Sequence, residues 1–250
     1  MRRVMLRLLA GIGILIALAA IGFVAWGSTP QAPTDVALQA LIGDSTVRVE
    51  TEPWITFTPT RSQPQAGLVV YPGGHVDPRA YAPLARQIAS RGYQVVIVPM
   101  PLALAVLAPN EALDVMAAYP SVEAWAVGGH SLGGAMAARF AYVHPEAVDG
   151  LVLWAAYPAS TDDLSGFDVI VTSIYGTLDG LSTGDKIDAS RRLLPGDTRW
   201  VPIEGGNHAQ FGDYGLQSGD GSATILASEQ QARAAEATVR VLKAIAEAAQ

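Results

Sequence analysis

The chain has 250 residues, 50% of them hydrophobic, and a formal net charge of −7. It contains no cysteine, which excludes disulfide bonds, thiolate metal sites and a cysteine nucleophile. The acidic balance argues against a nucleic-acid partner, because phosphate binding requires a basic surface. This length allows one large α/β domain or two small ones.

The first 26 residues have the composition of a membrane anchor. No charged side chain occurs from Leu8 to Trp26. A helix of this length spans about 28 Å, close to the hydrocarbon thickness of a bilayer. Because Arg2, Arg3 and Arg7 precede the stretch without an acidic residue, the positive-inside rule predicts a cytoplasmic N-terminus.

We therefore expect residues 1–26 to form one transmembrane helix, with the rest of the chain outside the cytoplasm at the cell membrane. The alternatives are a cleaved signal peptide, which would give a secreted protein, and a buried core helix. A signal peptide has a shorter apolar region that ends in a small-x-small site. The segment here ends in Phe23-Val24-Ala25-Trp26, which favours the uncleaved anchor.

Residues 27–45 are predicted to be a tether, and residues 46–250 one folded α/β domain. The tether begins with Gly27–Thr34, a stretch rich in Pro, Ser, Thr and Gly that should not pack. The domain alternates apolar strands with helical segments, which indicates repeated strand–helix units. Its predicted strands are Thr46–Thr51, Trp54–Thr58, Gly67–Tyr71, Gln94–Val98, Ala124–Gly129, Leu151–Trp154, Val169–Ile174 and Arg199–Ile203.

This pattern predicts an α/β fold with a doubly wound, mostly parallel sheet of about 7–8 strands. The first two strands alternate apolar and polar residues, so we expect them to form an antiparallel, half-exposed start. Only Ala155–Asp168 separates two of the central strands, which is too short for a lid domain. In such sheets the ligand site lies at the carboxyl ends of the strands.

The strongest motif is Gly129-His130-Ser131-Leu132-Gly133, which has the form G-x-S-x-G. It follows an apolar strand and precedes a helix, the context that this motif requires. The chain must turn sharply there, with a strained serine at the apex and glycines where a side chain would collide. We therefore predict that Ser131 is a nucleophile, and that His130 points away from it.

A serine nucleophile needs a base within hydrogen-bond reach. Of the four histidines, only His75 and His208 follow strands at the expected edge of the sheet. His208 comes directly after the last strand, in a loop with Gly205, Gly206 and Asn207 that suits the placement of one ring. We expect His208 to be the base.

The acid that orients the base is predicted to be Asp179, which follows the Val169–Tyr175 strand. The order Ser131, Asp179, His208 is the one expected of a serine hydrolase built on such a sheet. Four other acidic residues remain as alternatives: Asp162, Asp163, Asp213 and Glu204.

An oxyanion hole requires two backbone N–H groups. One is expected from Leu132, the residue after the nucleophile, and the other from the loop Tyr71-Pro-Gly-Gly-His75. Gly74 is the first choice for the second donor and His75 the alternative. A substrate pocket is predicted nearby from His75, Met100, Leu102 and Tyr157, although the leucine is equally explained by packing.

Taken together, Tyr71-Pro-Gly-Gly, Gly129-His-Ser-Leu-Gly-Gly, Gly176-x-x-Asp179 and Gly205-Gly-Asn-His208 resemble the α/β-hydrolase superfamily. The resemblance covers Thr46–Gln250 and is strongest to the compact bacterial fold-5 type, which is related to the dienelactone hydrolases. In those enzymes the nucleophile is cysteine, whereas here it is Ser131, so their substrate is not carried over. The resemblance implies a Ser-His-Asp hydrolase without a cofactor or metal.

The expected function is hydrolysis of a small-molecule carboxylic ester through an acyl-enzyme. Two alternatives remain open: acyl transfer or perhydrolysis on the same triad, and a non-catalytic binding protein on the hydrolase scaffold. The expected partners are the ester substrate and, through the N-terminal helix, the membrane.

Overall fold

Eight strands form one sheet in the computed structural model, which describes residues 2–250 except for the side chains of residues 2–4, 6–8 and 10. The strands are β1 (Val47–Glu50), β2 (Ile55–Pro59), β3 (Ala66–Tyr71), β4 (Gln94–Ile97), β5 (Ala124–His130), β6 (Gly150–Trp154), β7 (Ile170–Gly176) and β8 (Arg199–Ile203). Their order across the sheet is β1-β2-β4-β3-β5-β6-β7-β8. The pairs β1–β2 and β2–β4 are antiparallel and all the others are parallel. The predicted mostly parallel sheet with an antiparallel start is therefore confirmed.

Helices cover both faces of this sheet, because β3 to β6 present apolar side chains alternately to either side. The helices are α1 (Arg2–Gly27), α2 (Asp35–Gln39), α3 (Ala82–Ala89), α4 (Glu111–Ala118), α5 (Leu132–Val143), α6 (Gly184–Ser190) and α7 (Ala227–Ala248). Leu68 and Val70 share one core with α3 and α7. Val69 and Tyr71 share the opposite core with α4 and α5.

The strand order reverses at β3, which lies between β4 and β5. Tyr71 at the end of β3 pairs with Gly129 near the end of β5. The loop after Tyr71 and the turn at Ser131 are therefore neighbours at the carboxyl edge of the sheet, where α/β folds bind ligands. In the described chain, no helix or strand lies between the end of β6 and the start of β7, so no lid domain covers this edge.

The N-terminal helix does not support the predicted membrane anchor. Within the part of the chain that the structure describes, no helix combines the length and the apolarity needed to cross a membrane. The expected transmembrane helix and the cell-membrane location are therefore wrong, and the expected membrane partner is not supported. The interpretation relied on the absence of charge between Leu8 and Trp26, which is a necessary property of a spanning helix and not a sufficient one. The side chains of Arg2, Arg3 and Arg7, on which the orientation depended, lie outside the described residues.

The segment after α1 differs from the expected unpacked tether. Gln31 forms a parallel β-bridge with Val76, and the Thr34 hydroxyl donates to Asp213 Oδ1 at 2.6 Å. Thr34 also caps α2, since its Oγ1 accepts from the Ala37 N–H. Composition predicted a free linker, but these hydrogen bonds hold the segment on the domain.

Candidate active site

The turn between β5 and α5 has the strained geometry that its sequence motif predicts. Ser131 has φ 53° and ψ −122°, a left-handed conformation that is costly for a residue with a side chain. A Cβ on Gly133 would collide with the carbonyl oxygens of Tyr71 and Pro72, and one on Gly129 would also meet the Tyr71 oxygen. Only glycine at these positions lets the turn approach β3, so the sequence itself sets the position of the serine.

His208 and Asp179 come together at the ends of β8 and β7. The His208 Nδ1 atom lies 2.8 Å from Asp179 Oδ2, and both side chains are buried. A carboxylate can only accept, so the proton of this hydrogen bond is on Nδ1, and Nε2 keeps a lone pair that can take a proton. The other oxygen, Asp179 Oδ1, accepts from the N–H groups of Leu181 and Ser182 at 2.8 and 2.7 Å. These donors stabilise the charged carboxylate.

Among the described residues, His208 Nε2 is buried without a hydrogen-bond partner. No hydrogen bond joins it to the Ser131 hydroxyl in the described chain. Catalytic hydrogen bonds are often long before substrate binds. Of the two hydrogen bonds predicted within Ser131, Asp179 and His208, the described chain thus contains the one between Asp179 and His208 and not the one between Ser131 and His208.

The loop of residues 72–77, which we call the Gly74 loop, offers one N–H group to the site. The Gly73 N–H donates to the Tyr81 hydroxyl at 2.9 Å, and the His75 N–H donates to the Ala103 carbonyl at 2.8 Å. Within the described chain the Gly74 N–H has no acceptor. A Cβ on Gly74 would lie 3.0 Å from Leu132 Cδ2, so Gly74 and Leu132 are neighbours. Leu132 opens α5, where first-turn N–H groups have no intrahelical acceptor.

His130, within the turn, contacts two other residues near the site. Its Nδ1 lies 2.9 Å from the Tyr81 hydroxyl, and its ring lies 4.5 Å from the His208 ring, centroid to centroid. Burial lowers the pKa of His130 well below its ordinary value of 6.5, and electrostatic repulsion between its imidazolium form and the neighbouring His208 lowers it further. The His208 backbone carbonyl opposes this shift. His130 is therefore a neutral ring packed against the ring of His208.

Of the predicted pocket residues, His75 lies in the Gly74 loop itself, Met100 and Leu102 follow β4, and Tyr157 follows β6. Leu102 has φ 51° and Ala103 has φ 53°, so both are strained, and His75 likewise has φ 59°. Met100 is buried and Tyr157 is half-buried. Among the described hydrogen bonds and ring contacts, none joins Met100 or Tyr157 to Ser131 or His208. Their part in a substrate pocket stays a prediction.

The alternative acids have other partners. Asp162 accepts from Arg139 at 2.6 Å, Asp163 accepts from a backbone N–H in its own turn, and Asp213 accepts from Thr34. Among the described residues, no group of three or more histidine and acidic side chains is arranged to hold a metal ion.

Sequence reasoning missed Asp220, which binds both loops that carry the buried pair. Its Oδ1 accepts from the N–H groups of Gly180, His208 and Gly221 at 3.1, 3.1 and 2.7 Å, and its Oδ2 accepts from Ala209 at 2.9 Å. The only sequence signal is an aspartate between two glycines, which is typical of a turn.

Gln230, in the first turn of α7, was also missed. Its Oε1 accepts from the Asn207 N–H at 2.9 Å, and its Nε2 donates to the Asn207 carbonyl at 2.7 Å. This fully buried amide fixes the residue before His208. The sequence shows only a glutamine in the last helix, and its role could be predicted only if the buried face of that helix were known.

Comparison with known proteins places this geometry in a family. Residues 67–232 match the model of the alpha/beta hydrolase family. The esterase domain of a Rhodothermus marinus protein is similar in structure, with a TM-score of 0.57 and 14% identity over 75% of this chain and 90% of that one. MGS-MChE2, an alpha/beta hydrolase enzyme from the metagenome of sediments of the lagoon of Mar Chica, Morocco, has a TM-score of 0.51 and 18% identity over 65% of this chain and 89% of that one. No curated protein matches the chain.

At these identities the two solved structures show a shared fold and no more. The family match covers well over half of the chain, from β3 into α7. It includes the turn at Ser131 and the loops of Asp179 and His208. The chain therefore belongs to the alpha/beta hydrolase family, and hydrolysis is the class of reaction that this membership supports.

Proposed function

We propose that this protein is a serine hydrolase that cleaves carboxylic esters, with Ser131 as nucleophile, His208 as base and Asp179 as the group that orients the base. One observation carries the proposal: the buried hydrogen bond of 2.8 Å between His208 Nδ1 and Asp179 Oδ2. It leaves Nε2 as a proton acceptor at the edge of the sheet where the strained Ser131 turn lies. The family match supports hydrolysis, and the triad and the ester bond are our inference.

In the first step, His208 Nε2 takes the proton of the Ser131 hydroxyl as Oγ attacks the ester carbonyl carbon. The imidazolium that forms is stabilised by Asp179, which holds the ring through Nδ1–H. The neutral ring of His130 adds no positive charge beside it. Collapse of the tetrahedral intermediate then transfers the proton from Nε2 to the leaving alcohol and leaves an acyl-Ser131 ester.

The carbonyl oxygen becomes negatively charged in this step and needs donors already in place. The N–H groups of Leu132 and Gly74 fit this role, because the two residues are neighbours and neither N–H has another acceptor among the described residues. The N–H of His75, the alternative donor, is engaged by the Ala103 carbonyl. Removal of one such donor costs about 2.7–4 kcal/mol in other hydrolases.

Water completes the cycle. His208 takes a proton from water, the hydroxide attacks the acyl carbon, and Ser131 leaves with the proton returned through Nε2. The short connection between β6 and β7 leaves the site without a lid, which suits an ester of small or medium size better than a long lipid.

The test is hydrolysis of p-nitrophenyl esters of graded chain length by the wild type and by Ser131→Ala, with Ser165→Ala as matched control on an exposed serine. We expect Ser131→Ala to lose activity and Ser165→Ala to keep it. A fluorophosphonate probe should label the wild type at Ser131. Equal rates for wild type and Ser131→Ala, or labelling elsewhere, would disprove the proposal.

A further inference from the structure

The segment of residues 26–34, which we call the N-terminal clamp, contacts both loops beside the proposed site. At its first residue, the Trp26 ring stacks on the His75 ring at 4.2 Å with an interplanar angle of 5°. The His75 Nε2–H also donates to the Trp26 carbonyl at 2.8 Å. The end of α1 therefore holds the His75 side chain by two contacts.

The middle of the clamp holds the backbone of the Gly74 loop. The Gln31 N–H donates to the His75 carbonyl at 2.9 Å, and the Asp77 N–H donates to the Gln31 carbonyl at 3.1 Å. With the bond of the His75 N–H to Ala103, every polar group of the His75 backbone is engaged. Three residues hold His75 in place, and two of them, Trp26 and Gln31, belong to the clamp; the third is Ala103.

The last residue of the clamp reaches the loop that follows His208. The Thr34 N–H donates to the Asp213 carbonyl at 2.8 Å, and its hydroxyl donates to Asp213 Oδ1. The Asp213 N–H in turn donates to the Ala80 carbonyl at 2.8 Å. The clamp thus spans from the Gly74 loop to the loop of the proposed base.

His75 needs such support because its φ of 59° is in the left-handed region, as are those of Leu102 and Ala103. Strained residues of this kind persist only where their surroundings over-determine them. His75 directly follows Gly74, and the peptide plane between them carries the Gly74 carbonyl and the His75 N–H. When His75 relaxes, this plane turns, and the chain absorbs the turn through the dihedral angles of Gly74, which glycine changes at little cost. The Gly74 N–H, on the other side of those dihedral angles, then changes direction as well.

We infer that the N-terminal clamp is a positioning element of the active site: by holding His75 in its strained conformation, it aims the Gly74 N–H at the oxyanion. The inference rests on the proposed function for its catalytic part. Its structural part, the restraint of the Gly74 loop, stands independently. It makes activity depend on a segment that lies outside the residues matched to the family.

The test uses substitutions in the full chain, each with a matched partner. Trp26→Ala removes the stacked ring, whereas Trp26→Phe keeps an aromatic contact. Gln31→Pro removes the N–H that binds the His75 carbonyl, whereas Gln31→Ala keeps it and loses only the side chain. Ile21→Ala, on an exposed residue of α1, is the control for the helix.

We expect Trp26→Ala and Gln31→Pro to lower kcat for a p-nitrophenyl ester about 10-fold or more with little change in KM, because an oxyanion donor acts in the transition state. The three matched variants should stay within about twofold of wild type. Labelling of Ser131 by a fluorophosphonate should slow in parallel. Amide hydrogen exchange of residues 73–77 should accelerate in the two clamp variants, while exchange in β3 and β5 stays unchanged.

Wild-type kcat, or unchanged exchange of residues 73–77, in Trp26→Ala and Gln31→Pro would overturn the inference. Loss of cooperative unfolding in both would overturn it too, because the segment would then serve folding and not the site. If wild-type protein neither hydrolyses esters nor labels at Ser131, the proposed function fails. The exchange measurement still decides whether the clamp restrains the loop.

Discussion

The ring of His130 lies 4.5 Å from the ring of His208, centroid to centroid, and the two planes are inclined by 50°. His130 is bound through Nδ1 to Tyr81, whose hydroxyl also accepts from the Gly73 N–H. One chain of contacts therefore joins the Gly74 loop, the turn at Ser131 and the proposed base. Because burial lowers the pKa of His130, this chain is built around an uncharged imidazole.

The lowered pKa of His130 makes stability depend on pH. In the unfolded chain His130 titrates near its ordinary value of 6.5, whereas the folded chain keeps it neutral at that pH. Below pH 6.5 the unfolded state binds more protons, so the free energy of unfolding decreases as the pH falls from 6.5 toward the lowered pKa.

We predict that His130→Gln loses less stability than wild type between pH 7.5 and 5.5, by about 1 kcal/mol. Urea unfolding at the two pH values measures this difference. His144→Gln, on a histidine outside the site, should retain the wild-type dependence. An identical loss in wild type and His130→Gln would show that His130 does not carry the effect.

Asp179→Asn should reduce kcat about 10³- to 10⁴-fold, because an amide facing Nδ1 favours the wrong tautomer of His208. The matched control is Asp162→Asn, an acid that the sequence also offered and that pairs with Arg139. Steady-state kinetics with one p-nitrophenyl ester compares them. A larger loss in Asp162→Asn than in Asp179→Asn would contradict the assignment of the acid.

Gly133→Ala should destabilise the fold by about 3 kcal/mol or more, since the new methyl group meets two backbone carbonyls that cannot move independently of β3. Gly166→Ala is the control, because a Cβ there has nothing within 4 Å, and its change should stay within about 0.5 kcal/mol. Thermal unfolding measures both. Equal midpoints would mean that the turn at Ser131 is less tightly packed than described.

The sheet and the meeting of Asp179 with His208 could be predicted from the sequence, because both follow from local patterns. Apolar runs mark the strands, and parallel strands bring their carboxyl ends to one edge. The two side chains follow neighbouring strands, β7 and β8, so chain order was enough to bring them together. Their catalytic roles are the part that kinetics must decide.

The packing of residues 26–34 could not be predicted, because its hydrogen bonds join residues far apart in the chain. Thr34 and Asp213 are 179 positions apart. Composition alone indicated a tether, and the absence of charge alone indicated a membrane helix. The composition rule contains no information about which surface a segment contacts, and such contacts overturned the tether. The membrane helix was overturned by a different finding, since within the described part of the chain no helix has both the length and the apolarity to cross a membrane.

The role of Asp220 could not be predicted for the same reason, because it depends on hydrogen bonds to backbone N–H groups of residues distant in the chain. Its carboxylate accepts from Gly180, next to Asp179, and from His208 and Ala209. It thereby fixes the spacing between the two loops whose side chains form the 2.8 Å hydrogen bond of the site. A small displacement of a catalytic group lowers the rate much more than it lowers stability.

We therefore predict that Asp220→Ala lowers kcat about 10- to 100-fold with KM little changed, because the His208 ring is displaced from Ser131. Asp220→Ala also leaves the N–H groups of His208 and Ala209, two buried residues, without their acceptor, which should reduce the free energy of unfolding by about 1–3 kcal/mol. Asp220→Asn, which keeps one acceptor oxygen, should lie between Ala and wild type. Asp197→Ala, on an exposed acid, is the control for loss of charge. A destabilised Asp220→Ala that keeps wild-type kcat would contradict the prediction, because Asp220 would then support the fold without positioning His208.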